Sequence, residues 1–380
     1  MSAVSGVGGR IAIVSAGVGA GHDGVAAELA RRLDGAGYPV DRHDFLTMLP
    51  RWQAAALVQG YARSLRAAPW TYRAAIATFD RSAPARLAAG ACRTADARLV
   101  SGLAADTAVV VSTYPFASQC VGRLRRAGRL AVPAVTYLTD PAVHRTWVAP
   151  GIDAHLTPYG VAGAAARQLG AAGVQVVAPA VAPGFRPAAD RYEVSAARAR
   201  FGLPETRRLV LIVAGSLGLG EPERTAREVL ATGIATPVVV CGRHESLRRR
   251  LAAAPGVHAL GWVTEMPALM RAVDVAIDNA GGLTFLEAVT SGLPVLCYRP
   301  LAGHGHANIA GLHASGLAVW VRHPEQLRTA LVTALADPGI RRSADRLRQA
   351  TDPAAWIGQT VPPAASTVPD PTRSPVAIPN

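Results

Sequence analysis

Short, nearly continuous apolar runs alternate along this chain with longer stretches whose apolar residues recur at helical spacing. Arg10–Ser15 (RIAIVS), Ala108–Ser112 and Val132–Leu138 lie in the first half, and Arg208–Ala214, Val238–Cys241 and Val273–Ile277 in the second. Each has the length and continuity of a strand buried on both faces. The intervening segments, such as 22–37, 82–104, 161–169 and 193–201, read as amphipathic helices. This alternation predicts parallel sheets covered by helices, an α/β fold. A proline-rich stretch over 179–190 (PAVAPGFRPAAD) separates the two series. The 380 residues are therefore expected to form two Rossmann-like domains, 1–183 and 184–357, facing a cleft. A Pro/Thr/Ser/Ala-rich disordered tail is expected over 358–380.

Polar chemistry gathers where the expected strands stop. After Ile277 the chain reads Asp278-Asn279, then Gly281 and Gly282, and a helix is expected from about Leu283. Backbone amides and a helix N-terminus at a strand end make an anion site. Glu287 falls about one turn further on, at a distance suited to the sugar of a bound nucleotide. A loop dense in glycine and histidine then leads to Asn308. The first strand runs into glycines 17, 19 and 21, with His22 at or near the start of the next helix. His22 is a candidate general base, or a residue that merely caps that helix. The strand ending at Leu138 is followed by Thr139 and Asp140, with His144 and Trp147 just beyond. Asp140 could orient an acceptor hydroxyl, orient His22, act as the base itself, or close a turn.

The pattern AGG-x-T-x-x-EA-x-x-x-G-x-P from Ala280 to Pro294, with its His/Gly loop and Asn308, resembles the donor-binding half of GT-B glycosyltransferases. Within them it is similar to the group containing monogalactosyldiacylglycerol synthases and the N-acetylglucosaminyl transferase that makes lipid II. Thr139, Asp140, His144, Trp147, Pro150 and Gly151 are similar to the diacylglycerol branch in particular. The resemblance implies diphosphate contacts at Gly215, Ser216, Gly281, Gly282 and Thr284, and ribose contact at Glu287. It also implies uracil readout by the backbone near Val263 and hexose contacts at His304, His306 and Asn308. His22, with Asp140, would then serve an inverting, metal-independent transfer of a hexose from a UDP-sugar to a lipid hydroxyl such as diacylglycerol. A polyprenyl-linked sugar or a secondary metabolite is an alternative acceptor, and a non-catalytic nucleotide-sugar-binding protein is the reading from another class.

Charge adds a partner class. The net charge is +13, and the whole basic complement is arginine. Such a balance follows either from base composition or from attraction to anionic lipid and nucleotide phosphates. Nucleic acid is not expected, because aromatics make up only 5% and show no basic-aromatic stacking motif. Residues 51–79 carry Trp52, Tyr61, Arg63, Arg66 and Trp70 in a basic amphipathic pattern that suits a membrane surface or lipid acceptor, with His144 and Trp147 on the same acceptor side. An ordinary helix packed on the first domain is the other reading. The histidines fit no tetrahedral metal spacing and no Asp-x-Asp occurs, so neither a metal nor a cofactor is expected beyond the UDP-sugar as substrate. Four scattered cysteines read as buried reduced thiols. With no signal peptide or spanning run expected, the chain is placed in the cytoplasm, with peripheral contact at the inner face of the cell membrane as an option.

Overall fold

The apolar runs become parallel strands, their side chains covered from both sides by helices. A computed structural model describes residues 9–18, 20–67, 82–214, 220–336, 347 and 349–362, side chains excepted at 20, 61–67 and 82. The first sheet holds β1 (Arg10–Ser15), β2 (Val40–Asp44), β3 (Thr107–Ser112), β4 (Ala134–Tyr137), β5 (Ala154–Thr157) and β6 (Val174–Val176), in the order β2-β1-β3-β4-β5-β6. The second holds β7 (Leu209–Val213), β8 (Thr236–Val240), β9 (His258–Leu260), β10 (Val275–Asp278), β11 (Val295–Tyr298) and β12 (Val319–Val321), in the order β12-β11-β10-β7-β8-β9. Every pairing is parallel. In each sheet the chain reverses its direction of winding once, between β1 and β3 and between β7 and β10. A doubly wound sheet opens a crevice at such a switch point, outside the carboxyl ends of the strands.

Several boundaries differ from the sequence expectation for local reasons. The strand expected from Val132 begins at Ala134, because Pro133 has no N–H and the Ala134 N–H is taken by Asp153 Oδ2 at 2.7 Å. The strand expected from Val273 begins at Val275, since Asp274 accepts from Leu209 N at 2.9 Å and pairs with Arg198 and Arg208. The helix expected over 82–104 is broken into Ser82–Ala91, a single tight turn at Cys92–Ala95 and Asp96–Gly102. The loop expected before Asn308 is instead a helix, His304–Ala314. Gly303 starts it at φ 76°, and at Gly305 a Cβ would sit 2.9 Å from Leu301 Cβ and 3.1 Å from the Asn279 carbonyl oxygen. The helix expected over 340–350 lies largely outside the described residues.

Two segments cross between the halves, the linker after β6 and the return before helix Pro353–Gln359. They bond to each other, Ala178 N donating to Thr351 O at 2.8 Å. Arg32, near the end of helix Ala20–Gly35, holds both. Its guanidinium donates to Asp352 Oδ1 at 2.6 Å, to Val181 O at 2.7 Å and to Pro179 O at 3.1 Å, while Nε donates to Glu28 at 2.7 Å. Ala354 and Ile357 of the returning helix bury against Val25, Leu29 and Leu33. The disordered tail expected from 358 therefore needs correction over 358–362. Gly358 O accepts from Tyr38 Oη at 3.1 Å and Val361 packs on the same core, so these residues belong to the first half's surface. Residues 363–380 lie outside the description.

Candidate active site

His22 sits in the first turn of helix Ala20–Gly35, which follows β1 across the glycine turn. Its Nδ1 lies 2.9 Å from the Thr113 carbonyl oxygen, just beyond β3, and 3.1 Å from Thr139 Oγ1, just beyond β4. A carbonyl oxygen only accepts, so Nδ1 bears a hydrogen, and in the neutral ring the lone pair is on Nε2. Thr113 is itself fixed, its N–H donating to Val14 O at 3.0 Å and its hydroxyl to His22 O at 3.2 Å. The imidazole is walled by Tyr114, edge-on at 5.4 Å, and by Trp147 at 5.9 Å. Three strand ends thus converge on one ring. The tautomer they select is the one a general base needs.

Thr139 leads into Asp140 and then His144 and Trp147. His144 is half-buried, and desolvation pulls its imidazole down to about 4 despite the nearby Asp140 carboxylate. His304, arriving from the other half, is lowered for the same reason, again with Asp140 opposing. Trp147 is 0% exposed and its indole Nε1 has no partner among the described residues, so it forms the wall behind His22. That corrects the expectation of an acceptor or membrane contact for Trp147, because a side chain without exposed area cannot reach a lipid surface.

The second half contributes its own strand end. Asp278, the last residue of β10, accepts from Ala280 N at 3.1 Å and from Gly281 N at 2.6 Å. Burial pushes its carboxyl up to about 6 against the pull of those two amides. The Gly281 amide is thus already satisfied and not aimed at a diphosphate. Gly281 supplies instead φ 72° and a close approach, since a Cβ there would lie 2.8 Å from Asn308 Cβ. The next helix, Leu283–Thr290, begins at Gly282 with no side-chain cap, which leaves its first-turn amides, including those of Leu283 and Thr284, without intrahelical acceptors. Amides so placed, at a helix N-terminus, are able to bind an anion. Glu287, one turn in, is half-buried, and burial raises its carboxyl to about 8.

The two halves meet here. A Cβ at Gly24 would lie 2.5 Å from Leu283 Cδ2 and one at Gly21 3.9 Å from Leu283 Cβ, so the helix bearing His22 touches the start of the helix bearing Glu287. Asn308 is 0% exposed and bridges the seam. Its Oδ1 accepts from Ala142 N at 3.0 Å, and its Nδ2 donates to Asp140 Oδ1 at 3.3 Å and to Ala280 O at 2.9 Å. Both amide hydrogens are therefore used, and the side chain offers none to a hexose in this arrangement. His306, two residues before Asn308 and exposed, packs edge-on against Trp320 at 4.9 Å.

A family model described as monogalactosyldiacylglycerol (MGDG) synthase matches residues 22–176, starting at His22, and one described as glycosyl transferases group 1 matches 222–337. The chain has the GT-B fold, and its first half is similar to the monogalactosyldiacylglycerol synthase family. The crystal structure of MurG from Acinetobacter baumannii covers 93% of this GT-B chain and 99% of its own, with a TM-score of 0.58 at 18% identity. Anabaena HepE, solved in complex with UDP-glucose, covers 93% and 98%, with a TM-score of 0.56 at 15% identity. At these identities the likeness establishes the fold. Among curated proteins, the processive diacylglycerol beta-glucosyltransferase of Bacillus subtilis (strain 168) is 25% identical over 237 residues, 60% of this chain and 61% of its own. A Bacillus cereus protein of the same name is 24% identical over 229 residues, 58% and 57%. The chain thus spans about three fifths of the length of the curated relatives it matches.

Placed in this GT-B frame, the remaining candidates separate. Val263 is half-buried against the second core, while the neighbouring Trp262 is 52% exposed beneath the Arg243 guanidinium at 4.5 Å. That exposure comes from its place on the strand-end turn after β9. Trp52 is 70% exposed on helix Arg51–Ala67, and Leu87 is 76% exposed on helix Ser82–Ala91. Gln53 joins these helices by donating to Ala91 O at 2.7 Å. Tyr61, Arg63 and Arg66 lie on the first of them with side chains outside the description, and Trp70, Gly215 and Ser216 lie wholly outside it. Among the described residues no group of three or more His, Cys, Asp or Glu could hold a metal ion, and no helix is long and apolar enough to cross a membrane. Sequence reasoning missed Thr113 and Asp278 as site builders. Asp278 had a signal, an Asx residue before Gly-Gly at a strand end, whereas Thr113 acts through a backbone carbonyl that no residue type announces.

Proposed function

We propose that this protein transfers a hexose from a UDP-sugar to a lipid hydroxyl such as that of diacylglycerol, with inversion and without a metal ion. The observation that carries the reading is His22, whose Nδ1–H is held by Thr113 so that Nε2 is the ring nitrogen left to take up a proton, on a helix that touches the uncapped start of helix Leu283–Thr290. In the proposed step Nε2 takes the proton of the acceptor hydroxyl as that oxygen bonds to the anomeric carbon. The bond from that carbon to the phosphate oxygen breaks, its electron pair stays on the β-phosphate, and the charge is met by the amides of residues 283 and 284. Gly215, Ser216, Gly282 and Thr284 would line the diphosphate, Glu287 the ribose and the backbone at Val263 the uracil. Trp52 and Leu87 on one face of the first half supply apolar contacts for a peripheral position on anionic membrane. The names of the Bacillus relatives support diacylglycerol as acceptor, and the UDP-glucose bound to HepE supports the donor class.

The test is UDP release from a panel of UDP-sugars, with and without diacylglycerol in anionic vesicles, for the wild type and His22→Ala. The reading expects lipid-dependent release with one sugar, reduced by about 10²–10⁴-fold in the variant. Release without lipid dependence moves the acceptor to a polyprenyl-linked sugar or a secondary metabolite. Tight donor binding without any turnover identifies a sensor, and failure to bind any UDP-sugar overturns the proposal.

A further inference from the structure

We propose that Asn308 is an interdomain positioning residue that sets the Asp140 carboxylate against the diphosphate loop, and is not a hexose ligand. For its kinetic arm the proposal rests on the transferase reading above. Asn308 is fully buried and three of its bonds leave its own helix. One goes to the carbonyl of Ala280, in the loop that Asp278 shapes. The other two go to the first half, to the Asp140 carboxylate and the Ala142 N–H. A buried amide with both hydrogens committed cannot donate to a ligand without giving up a bond, and an unmade buried bond is costly. The surrounding seam is close-packed, since a Cβ on Gly281 would meet Asn308 Cβ at 2.8 Å and one on Gly311 would lie 3.7 Å from Pro141 Cβ. Closing the cleft and orienting Asp140 are thereby one event, made by a single side chain.

The geometry separates this role from direct sugar contact by sign. Asn308→Asp keeps an acceptor for the Ala142 N–H but turns an oxygen towards the Asp140 carboxylate and the Ala280 carbonyl, so the latch is broken more severely than by Asn308→Ala. A residue that only accepts from sugar hydroxyls would tolerate Asp better than Ala. Two measurements on the full-length protein decide the matter. Calorimetric titration with UDP and with UDP-glucose, alongside kcat, should show kcat falling about 10- to 100-fold in Asn308→Ala, while the ratio of the two ligand affinities stays that of the wild type. Amide hydrogen exchange should show faster uptake in the 139–144 segment, which contains the Ala142 N–H, with Asn308→Asp exceeding Asn308→Ala. If Asn308→Ala fails to fold, Asp140→Ala read by exchange alone should raise uptake in 304–314. Weakened UDP-glucose binding with UDP unaffected, an Asp variant milder than Ala, or unchanged exchange at 139–144 would overturn the proposal. A wild type that binds UDP-glucose but never turns over refutes the transferase reading and leaves the exchange result to judge the latch.

Discussion

Glu287 offers a quantitative test of the donor site. Its carboxyl is half-buried on helix Leu283–Thr290, and no group among the described residues hydrogen-bonds to it, so burial alone raises it to about 8. A carboxyl at that value is roughly 90% protonated at pH 7, and ionising it costs about 1.4 kcal/mol for each pH unit below 8. Ribose hydroxyls donate, and the ionised form is the better acceptor. Donor affinity should therefore rise about tenfold per pH unit from pH 6 to 8 and level off above, with about 0.9 proton released per UDP-glucose bound at pH 7. UDP-glucose suits the purpose because its diphosphate diester has no proton of its own to lose in this range. Calorimetry in two buffers of different ionisation enthalpy reads the proton count directly. The fold itself responds in the opposite sense. Because the carboxyl is raised from 4.5 in the unfolded chain, its contribution is complete below pH 4.5 and is lost as pH climbs towards 8. The bound on that loss is about 5 kcal/mol, less to the extent that solvent still reaches the side chain. Glu287→Gln should abolish both slopes. Flat donor affinity between pH 6 and 8 with no proton released, or the same slope in the Gln variant, refutes the assignment of Glu287 to the ribose.

Two further perturbations test the frame around the site. Arg32→Ala should destabilise the protein by about 1–3 kcal/mol in urea unfolding, because Glu28 keeps only Arg31 while Asp352 and the carbonyls of Pro179 and Val181 lose their donor; Arg32→Lys should recover only part, lacking the fork that reaches Asp352, Pro179 and Val181. Gly24→Ala should cost about 1–3 kcal/mol and weaken donor binding by pushing Leu283 aside, and Leu283→Ala in the same chain should relieve it. Strict additivity of the two changes would show that the helices do not touch.

What the sequence disclosed follows the physics of each signal. The strands were legible because parallel sheets covered on both faces need unbroken apolar runs, as in LVLIV of β7. His22 stood out because a histidine after a glycine turn is rare in composition and specific in place. The helix His304–Ala314 was illegible because glycines 303 and 305 and histidines 304 and 306 carry loop composition, while the reason for Gly305 is a neighbouring segment, Leu301 and Asn279, that only the fold brings near. Trp147 read as an interfacial aromatic for the same reason: burial depends on partners distant in sequence, here Leu138, Ala166 and Val174. Asn308 was found as a residue but not as a bridge, since its partners at Asp140 and Ala142 lie across the cleft.

The arginine excess, the strongest compositional feature, finds its place away from the phosphate site. Arg299 stands at the carboxyl end of β11, where an anion at the switch point would draw it, yet its guanidinium is clamped by Glu228 at 2.6 Å and 3.0 Å and by Glu221. It is the only non-glycine residue at positive φ among those described, at 51°, so the chain accepts strain there to complete that clamp. Arg32, Arg123 and Arg198 are likewise committed, to Glu28 and Asp352, to Asp96 and to Asp274. The ionisable side chains at the cleft seam are instead Asp140, Asp278 and Glu287, with the histidines 22, 144 and 304. With the arginines committed elsewhere, backbone amides are the donors the seam offers to an anion, and both halves supply them, the two helices that begin at Ala20 and Leu283 meeting at Gly24. The carboxyl raised furthest by burial makes this workable: Glu287, near 8, keeps its negative charge out of the cleft until a ligand's own donors call for it, while Asp278 spends its charge on the amides of Ala280 and Gly281.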